Sequence, residues 1–348
     1  MIAHLLAAAK GNRRPYIIAE MSGNHNGSLD RALEIVDAAA KNGADAIKLQ
    51  TYTAATMTLD VDLPEFKILD ESSLWAGRAL YDLYEEAHTP WDWHEPLFAR
   101  ARELGLLAFS TPFDSSAVDF LESLDVEVYK IASFENTDLP LIRKAASTGK
   151  PLIISTGLAT VGEISDAVST ARNAGCNDLI LLKTTSSYPA SPHNTNLRTI
   201  PHMRELFGCE VGLSDHTLGI GVAIGSVSLG AGVIEKHLTL SRDDGGVDSA
   251  FSLVPSELKS LVEESERAWA GQGNPKYGPS DDELKSFIFR RSLYITEDLV
   301  AGSILSEHNV RAVRPGYGLP TKFLETILGK RVTRQVTRGT PLTWEIIG

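Results

Sequence analysis

The chain has 348 residues, 43% of them hydrophobic, which is enough apolar material for one large core and a small second module beside it. A net charge of −12 works against a nucleic-acid or anionic-membrane partner, because both are held by a positive field. Only two cysteines are present, Cys176 and Cys209, in separate segments; they make no disulfide framework and suit a reducing compartment.

The first ten residues place their apolar stretch ahead of the basic ones, the reverse of a secretory signal, and no later run approaches the roughly 18 apolar residues of a membrane span. The expectation is a soluble cytoplasmic protein. Short apolar runs then alternate with amphipathic stretches. The runs at 16–20, 46–50, 106–110, 128–131, 151–155, 179–182, 211–214 and 233–237 read as buried parallel strands, each rich in branched residues. Between them, residues 29–40 predict a helix with Leu29, Leu33, Val36 and Ala40 on one face, Ser28 as N-cap and Gly43 just past the end. Similar helical patterns recur at 93–104, 117–124, 139–147, 161–174 and 255–270. Eight βα units in series favour a (β/α)₈ TIM barrel over an open sheet. Residues 53–90, between the second and third strands, are too long for an ordinary loop and read as a functional cover or helical excursion.

Around residue 271 the composition changes to a stretch dense in Gly and Pro. We divide the chain into a barrel at 1–275, a linker at 276–289 and a β-rich module at 290–348. In that module, residues 298–306 and 335–343 share the pattern apolar, x, x, Gly, x, x, Leu, Ser/Thr, which suggests a pseudo-symmetric fold. A unit of about 60 residues is marginal alone and gains from docking on the barrel or on a partner chain.

Polar groups gather at the carboxyl ends of the predicted strands, the working face of such a barrel. His216 and His237 end the seventh and eighth runs, where two neutral imidazoles can share one divalent ion. Either one alone reads as a hydrogen-bonded loop histidine. Lys48 and Gln50 share a face by period-two spacing, and Lys48 and Lys130 stand among hydroxyls as a cradle for phosphate or carboxylate. Glu20 is a candidate general base or a structural partner of Lys48. His25, within Asn24-His25-Asn26-Gly27, reads as turn chemistry. Asp248 follows a Gly-rich segment and is open to two readings, closure over the site or plain solvation.

These residues carry a resemblance. Glu20-x-x-x-Asn24-His25-Asn26-Gly27, Lys48-Leu49-Gln50-Thr51, Tyr129-Lys130-Ile131-Ala132-Ser133, Ser155-Thr156-Gly157, Gly212-Leu213-Ser214-Asp215-His216-Thr217 and Ile234-Glu235-Lys236-His237 together resemble the sialic acid synthase family of phosphoenolpyruvate-dependent nonulosonate synthases. The match covers nearly the whole chain. The tail, through Arg314-Pro315-Gly316-Tyr317-Gly318-Leu319, is similar to the antifreeze-like (SAF) domain that follows the barrel in that family. Ser186 in the loop after the sixth strand, with the aromatic pattern between Trp75 and Trp93, most resembles the branch that takes 2,4-diacetamido-2,4,6-trideoxyhexoses.

The resemblance implies condensation of phosphoenolpyruvate with such a sugar. A divalent ion (Mn²⁺, Mg²⁺ or Co²⁺) on His216 and His237 would polarise the open-chain aldehyde. Lys48, Lys130, Thr111, Ser133, Ser155, Ser186 and Ser214 would hold phosphate and carboxylate, and Gln50, Tyr188 and Asp248 the sugar. It further implies a domain-swapped homodimer whose Arg314 reaches the partner's barrel. Three other readings stay open: a neuraminate or legionaminate synthase, a metal-dependent aldolase of another kind, and a non-catalytic sugar-binding barrel.

Overall fold

Eight short runs pair in chain order and close on themselves. They are β1 (Tyr16–Glu20), β2 (Ala46–Thr51), β3 (Leu107–Pro112), β4 (Tyr129–Ile131), β5 (Leu152–Ser155), β6 (Leu179–Thr184), β7 (Glu210–Ser214) and β8 (Val233–His237). All pairings are parallel, and β1 bonds to both β2 and β8, which completes a closed barrel. This is a computed structural model describing residues 1–71 and 73–348; it divides into two units, Met1–Gly273 and Asn274–Gly348. The predicted strands agree with those observed to within two residues at their ends.

The strands are buried on both faces, which is why they read as continuous apolar runs. One face of the sheet packs against the helices, as with Ile17, Ala19, Ile47 and Leu49. The opposite parity, Tyr16, Ile18, Ala46, Phe109, Ile153 and Leu182, fills the barrel's interior toward its amino end. The helix Ile2–Ala9 adds Leu5, Ala8 and Ala9 to that cluster. Its approach is backbone to backbone: a Cβ on Gly232 would stand 2.0 Å from Ala8 O.

Helix Leu29–Lys41 starts where expected, with Ser28 Oγ accepting from Arg31 N–H at 3.3 Å. Its buried face differs from the predicted one: Ala32, Ile35, Val36 and Ala39 are fully enclosed, whereas Leu29, Leu33 and Ala40 sit at the margin. Small alanines on the contact line bring the helix close to the barrel and push leucines to the edges. The helices Thr199–Phe207 and Gly221–Val227, which periodicity did not single out, complete the outer ring. Residues 53–90 form a helical excursion, with helices Ala54–Met57 and Leu80–Ala87 and a 3₁₀ turn at Pro64–Phe66.

The second unit is built on an antiparallel pair, β9 (Ser292–Ile295) and β10 (Val310–Val313), around its own apolar core. Its sequence repeat is structural. Leu299 and Val336 face each other across a bridge, and Gly302 and Gly339 adopt φ of +86° and +88°, a region glycine enters without steric cost. The stretch expected as linker contains helix Asp281–Leu284 and a 3₁₀ turn at Lys285–Phe289. No described helix is long and apolar enough to cross a membrane.

Candidate active site

Strand parity sends Glu20, Lys48, Gln50, Glu235 and His237 to the carboxyl end of the barrel interior. There they line a cavity of about 480 Å³. Thr111, Lys130, Ser133, Ser155, Ser186, Tyr188, Ser214, His216 and Asp248 line it too, so the structure brings together every barrel residue proposed from sequence. Arg314 belongs to the second unit, where it is exposed just past β10. His25 is buried outside the lining, its Nδ1 accepting from Gly27 N–H at 3.1 Å, as turn chemistry requires.

Four charged groups alternate in sign through the cavity floor. Glu20 pairs with Lys48; Lys48 and Lys130 each lie 3.8 Å from Glu235 Oε1. Lys48 donates to Thr111 Oγ1 at 3.0 Å, and Lys130 to Ser155 Oγ at 2.7 Å. Burial pushes the Lys130 ammonium down to about 8. Burial acts in the same direction on Lys48, but Glu20 and Glu235 outweigh it and the net shift is upward. Lys130 also donates to Ile131 O at 3.2 Å, and with Glu235 beyond hydrogen-bond distance each ammonium keeps a proton to offer an arriving anion. Gly157 permits the hydroxyls to converge: a Cβ on it would lie 2.1 Å from Ser186 Oγ and 2.7 Å from Ser133 Oγ.

Beside the cradle, Gln50 Nε2 donates to Glu20 Oε1 at 3.0 Å and to Ser22 Oγ at 3.1 Å, while Ser22 Oγ donates to Asp248. Burial raises Glu20 to about 7, against the pull of Lys48, and Asp248 to about 6. Burial thus holds Glu20 above the usual carboxylate range, which suits a group that accepts a proton. Asp248 is buried, which removes the solvated reading.

The rings of His216 and His237 are 5.4 Å apart. His216 Nδ1 lies 3.0 Å from Thr185 O; a carbonyl only accepts, so the ring proton sits on Nδ1 and Nε2 offers a lone pair. His237 Nδ1 is buried without a hydrogen bond among the described residues, with Asp248 Oδ2 3.5 Å away. Burial lowers the pKa of both rings and keeps them neutral. Neutral imidazoles with free nitrogens suit a divalent cation. Among the described residues no cluster of three His, Cys, Asp or Glu groups is arranged to hold one, so a cation on the two histidines would need water or substrate oxygen at its other positions.

Aromatic rings form the cavity wall. Tyr188 stacks obliquely 4.4 Å from His216, and Trp75 lies 5.9 Å from Tyr188 while its Nε1 donates to Val247 O at 2.8 Å. Tyr52 meets Tyr84 and Phe113 edge-on at 5.8 and 5.1 Å. Sequence reasoning missed Ser22, Tyr52, Glu235 and Glu135 as lining residues. For Glu235 the signal was available: it precedes His237 by two on one strand and shares its face. The same parity extends β2 from Gln50 to Tyr52. Trp75 and Tyr84 come from the helical excursion, where no period points inward.

The fold and site define a barrel enzyme whose mouth receives a small anionic substrate. The chain belongs to the NeuB family, whose model matches residues 35–277, and a SAF domain model matches 290–347. It is 43% identical over 331 residues to the pseudaminic acid synthase of Campylobacter jejuni, covering 95% of this chain and 96% of that one. The pseudaminic acid synthase of Helicobacter pylori is 44% identical over 331 residues, 94% of this chain and 96% of the relative. Among solved structures, the N-acetylneuraminic acid synthetase of Leptospira borgpetersenii, crystallised with citrate, superposes with a TM-score of 0.69 at 33% identity, over 79% of this chain and 90% of that one.

Proposed function

We propose that the chain condenses phosphoenolpyruvate with 2,4-diacetamido-2,4,6-trideoxy-L-altrose and water, releasing phosphate and forming pseudaminic acid. The carrying observation is a two-lysine anion cradle beside a neutral histidine pair 5.4 Å apart in one cavity. Similarity to two pseudaminic acid synthases selects the sugar.

Lys48 and Lys130, with Thr111, Ser133, Ser155, Ser186 and Ser214, hold the phosphate and carboxylate and fix the enol. Gln50, Tyr188 and Asp248 bind the open-chain sugar. His216 and His237 would hold a divalent cation, Mn²⁺, Mg²⁺ or Co²⁺, which would supply Lewis-acid polarisation of the aldehyde. The enol C3 bonds to the aldehyde carbon and leaves positive character at C2. Glu20 takes a proton from the water that adds there, and that proton ends on the former aldehyde oxygen; the C2–O bond to phosphate then breaks, and the hydroxyl proton leaves with the phosphate to give the keto acid. The cavity's aromatic wall, Tyr52, Trp75 and Tyr84, is suited to methyl and acetamido groups.

The active assembly in this reading is a domain-swapped homodimer in which Arg314 serves the partner's barrel, in the cytoplasm. Residues 274–348 carry eleven Lys and Arg against eight Asp and Glu, whereas residues 1–273 carry 22 against 37. Opposite net charges favour docking of the tail on a barrel.

Phosphate release across a panel of amino sugars tests the substrate. Release with the 6-deoxy-2,4-diacetamido sugar is expected to exceed that with N-acetylmannosamine by roughly 100-fold or more in kcat/KM, because extra hydroxyls enter a wall that leaves them unpaired. Equal values reject the assignment. Chelation is expected to abolish release and Mn²⁺, Mg²⁺ or Co²⁺ to restore it; full activity of metal-free protein rejects the cation.

A further inference from the structure

We propose that the buried Lys236–Asp215 ion pair is a positioning clamp that sets the spacing of His216 and His237. The inference rests on the reading that the two histidines share one cation. Each member of the pair is the chain neighbour of one histidine. On β8 alternation turns His237 into the barrel and Lys236 outward, toward the loop that carries His216.

The Lys236 ammonium is enclosed, with 1% of its side chain exposed, and it donates to three oxygens: Asp215 Oδ2 at 2.9 Å, Thr217 O at 2.7 Å and Gly219 O at 2.8 Å. Asp215 in turn accepts from Thr217 N–H at 3.0 Å and from the Thr217 hydroxyl at 3.1 Å. The backbone fixes each histidine separately: His237 is in register with Glu20 on β1 and its carbonyl accepts from Leu253 N–H at 2.8 Å, while the His216 carbonyl accepts from Ala190 N–H at 3.0 Å. Between the two histidines the ladder has ended, since the β7–β8 register consists of Leu213 with Ile234 and Ser214 with Glu235, extended by one bond from Asp215 N–H to Glu235 O at 3.0 Å. Beyond that bond it is the ion pair that joins the His216 loop to the end of β8.

A buried ion pair is a weak source of stability, since desolvation offsets much of the attraction. A lysine whose three protons are all spent on one loop gives geometry instead. Groups that orient metal ligands in this way are worth about 10- to 100-fold in metal affinity.

The test is Mn²⁺ binding, followed by the electron paramagnetic resonance signal of the free ion, for wild type, Asp215→Asn, Lys236→Met and the double variant. Circular dichroism and thermal melts check the fold, and calorimetry measures phosphoenolpyruvate affinity in metal-free protein. Each single variant is expected to weaken Mn²⁺ binding about 10- to 100-fold, the double variant no more than the worse single, and phosphoenolpyruvate affinity to hold within about threefold. Unchanged Mn²⁺ affinity in a folded variant overturns the clamp. So does an equal loss of both ligands, which would mean general disorder of the rim, and so do losses that add in the double variant. If Lys236→Met does not fold, Lys236→Arg carries the test: it keeps the charge, but a planar guanidinium cannot reproduce three converging contacts, so Mn²⁺ is expected to weaken while the fold is retained. Wild type that binds no Mn²⁺, or His237→Ala that binds it normally, overturns the cation reading itself rather than the clamp.

Discussion

Lys130 is fully enclosed, and burial holds its ammonium at about 8. Only the charged form attracts a phosphate or carboxylate, so affinity is complete below that value and declines as pH rises through it. The kcat/KM for phosphoenolpyruvate, which reports the free enzyme, is expected to fall above about pH 8. Lys130→Arg stays charged and is expected to flatten this limb at a lower plateau. A wild-type profile flat to about pH 9.5 would show that burial does not lower the Lys130 ammonium. Glu20 poses the opposite problem, a carboxyl raised to about 7 by burial. Glu20→Gln preserves its shape but cannot take a proton, and a loss of about 100-fold or more in kcat is expected by steady-state phosphate release.

The strand ends carry most of the chemistry, and the tolerance of the connections that follow them is set by close approach. At the end of β5, a Cβ on Gly157 would meet Ser186 Oγ at 2.1 Å and Ser133 Oγ at 2.7 Å. Overpacking of this kind costs about 1–3 kcal/mol. Gly157→Ala is therefore expected to lower the melting temperature by a few degrees and to raise KM for phosphoenolpyruvate by roughly tenfold, because the two hydroxyls are driven apart. The helical excursion of residues 53–90 meets the cavity differently, through the Trp75 Nε1 bond to Val247 O and the ring contact with Tyr188. Trp75→Ala is expected to raise KM for the sugar while leaving that for phosphoenolpyruvate within about threefold. An equal rise in both would make the excursion a general lid rather than a sugar-side wall.

The assembly is tested by complementation. In a domain-swapped dimer each site draws His237 from one chain and Arg314 from the other. His237→Ala and Arg314→Ala are each expected to be nearly inactive, and mixing them with subunit exchange is expected to recover up to about a quarter of wild-type activity, since half the dimers are mixed and each has one whole site. No recovery after verified exchange would assign the tail to its own barrel or remove Arg314 from the site.

Local chemistry alone made the barrel legible. Branched runs ending at Glu20 and His237 are strands because both faces are covered, and Ser28 marks a helix start because its hydroxyl accepts a backbone N–H. The candidate residues could be proposed because strand ends of a parallel barrel converge whatever their distance in the chain. What the sequence could not decide was which groups pair across that convergence. Whether Glu20 stood alone or against Lys48, whether Asp248 was solvated, and how Glu235 lies between two lysines depend on contacts between strands far apart in order. Period-two spacing chooses a face but is silent on neighbours. Trp75 and Tyr84 of the excursion were hidden for the same reason: Trp75 lies in an irregular stretch with no period and Tyr84 on a two-turn helix too short to show one, so only packing against the β8 loop and Tyr52 aims them into the cavity. The approach of His216 to His237 likewise belongs to the tertiary structure, because an ion pair formed by their chain neighbours joins the ends of β7 and β8 where the ladder between those two strands has already stopped.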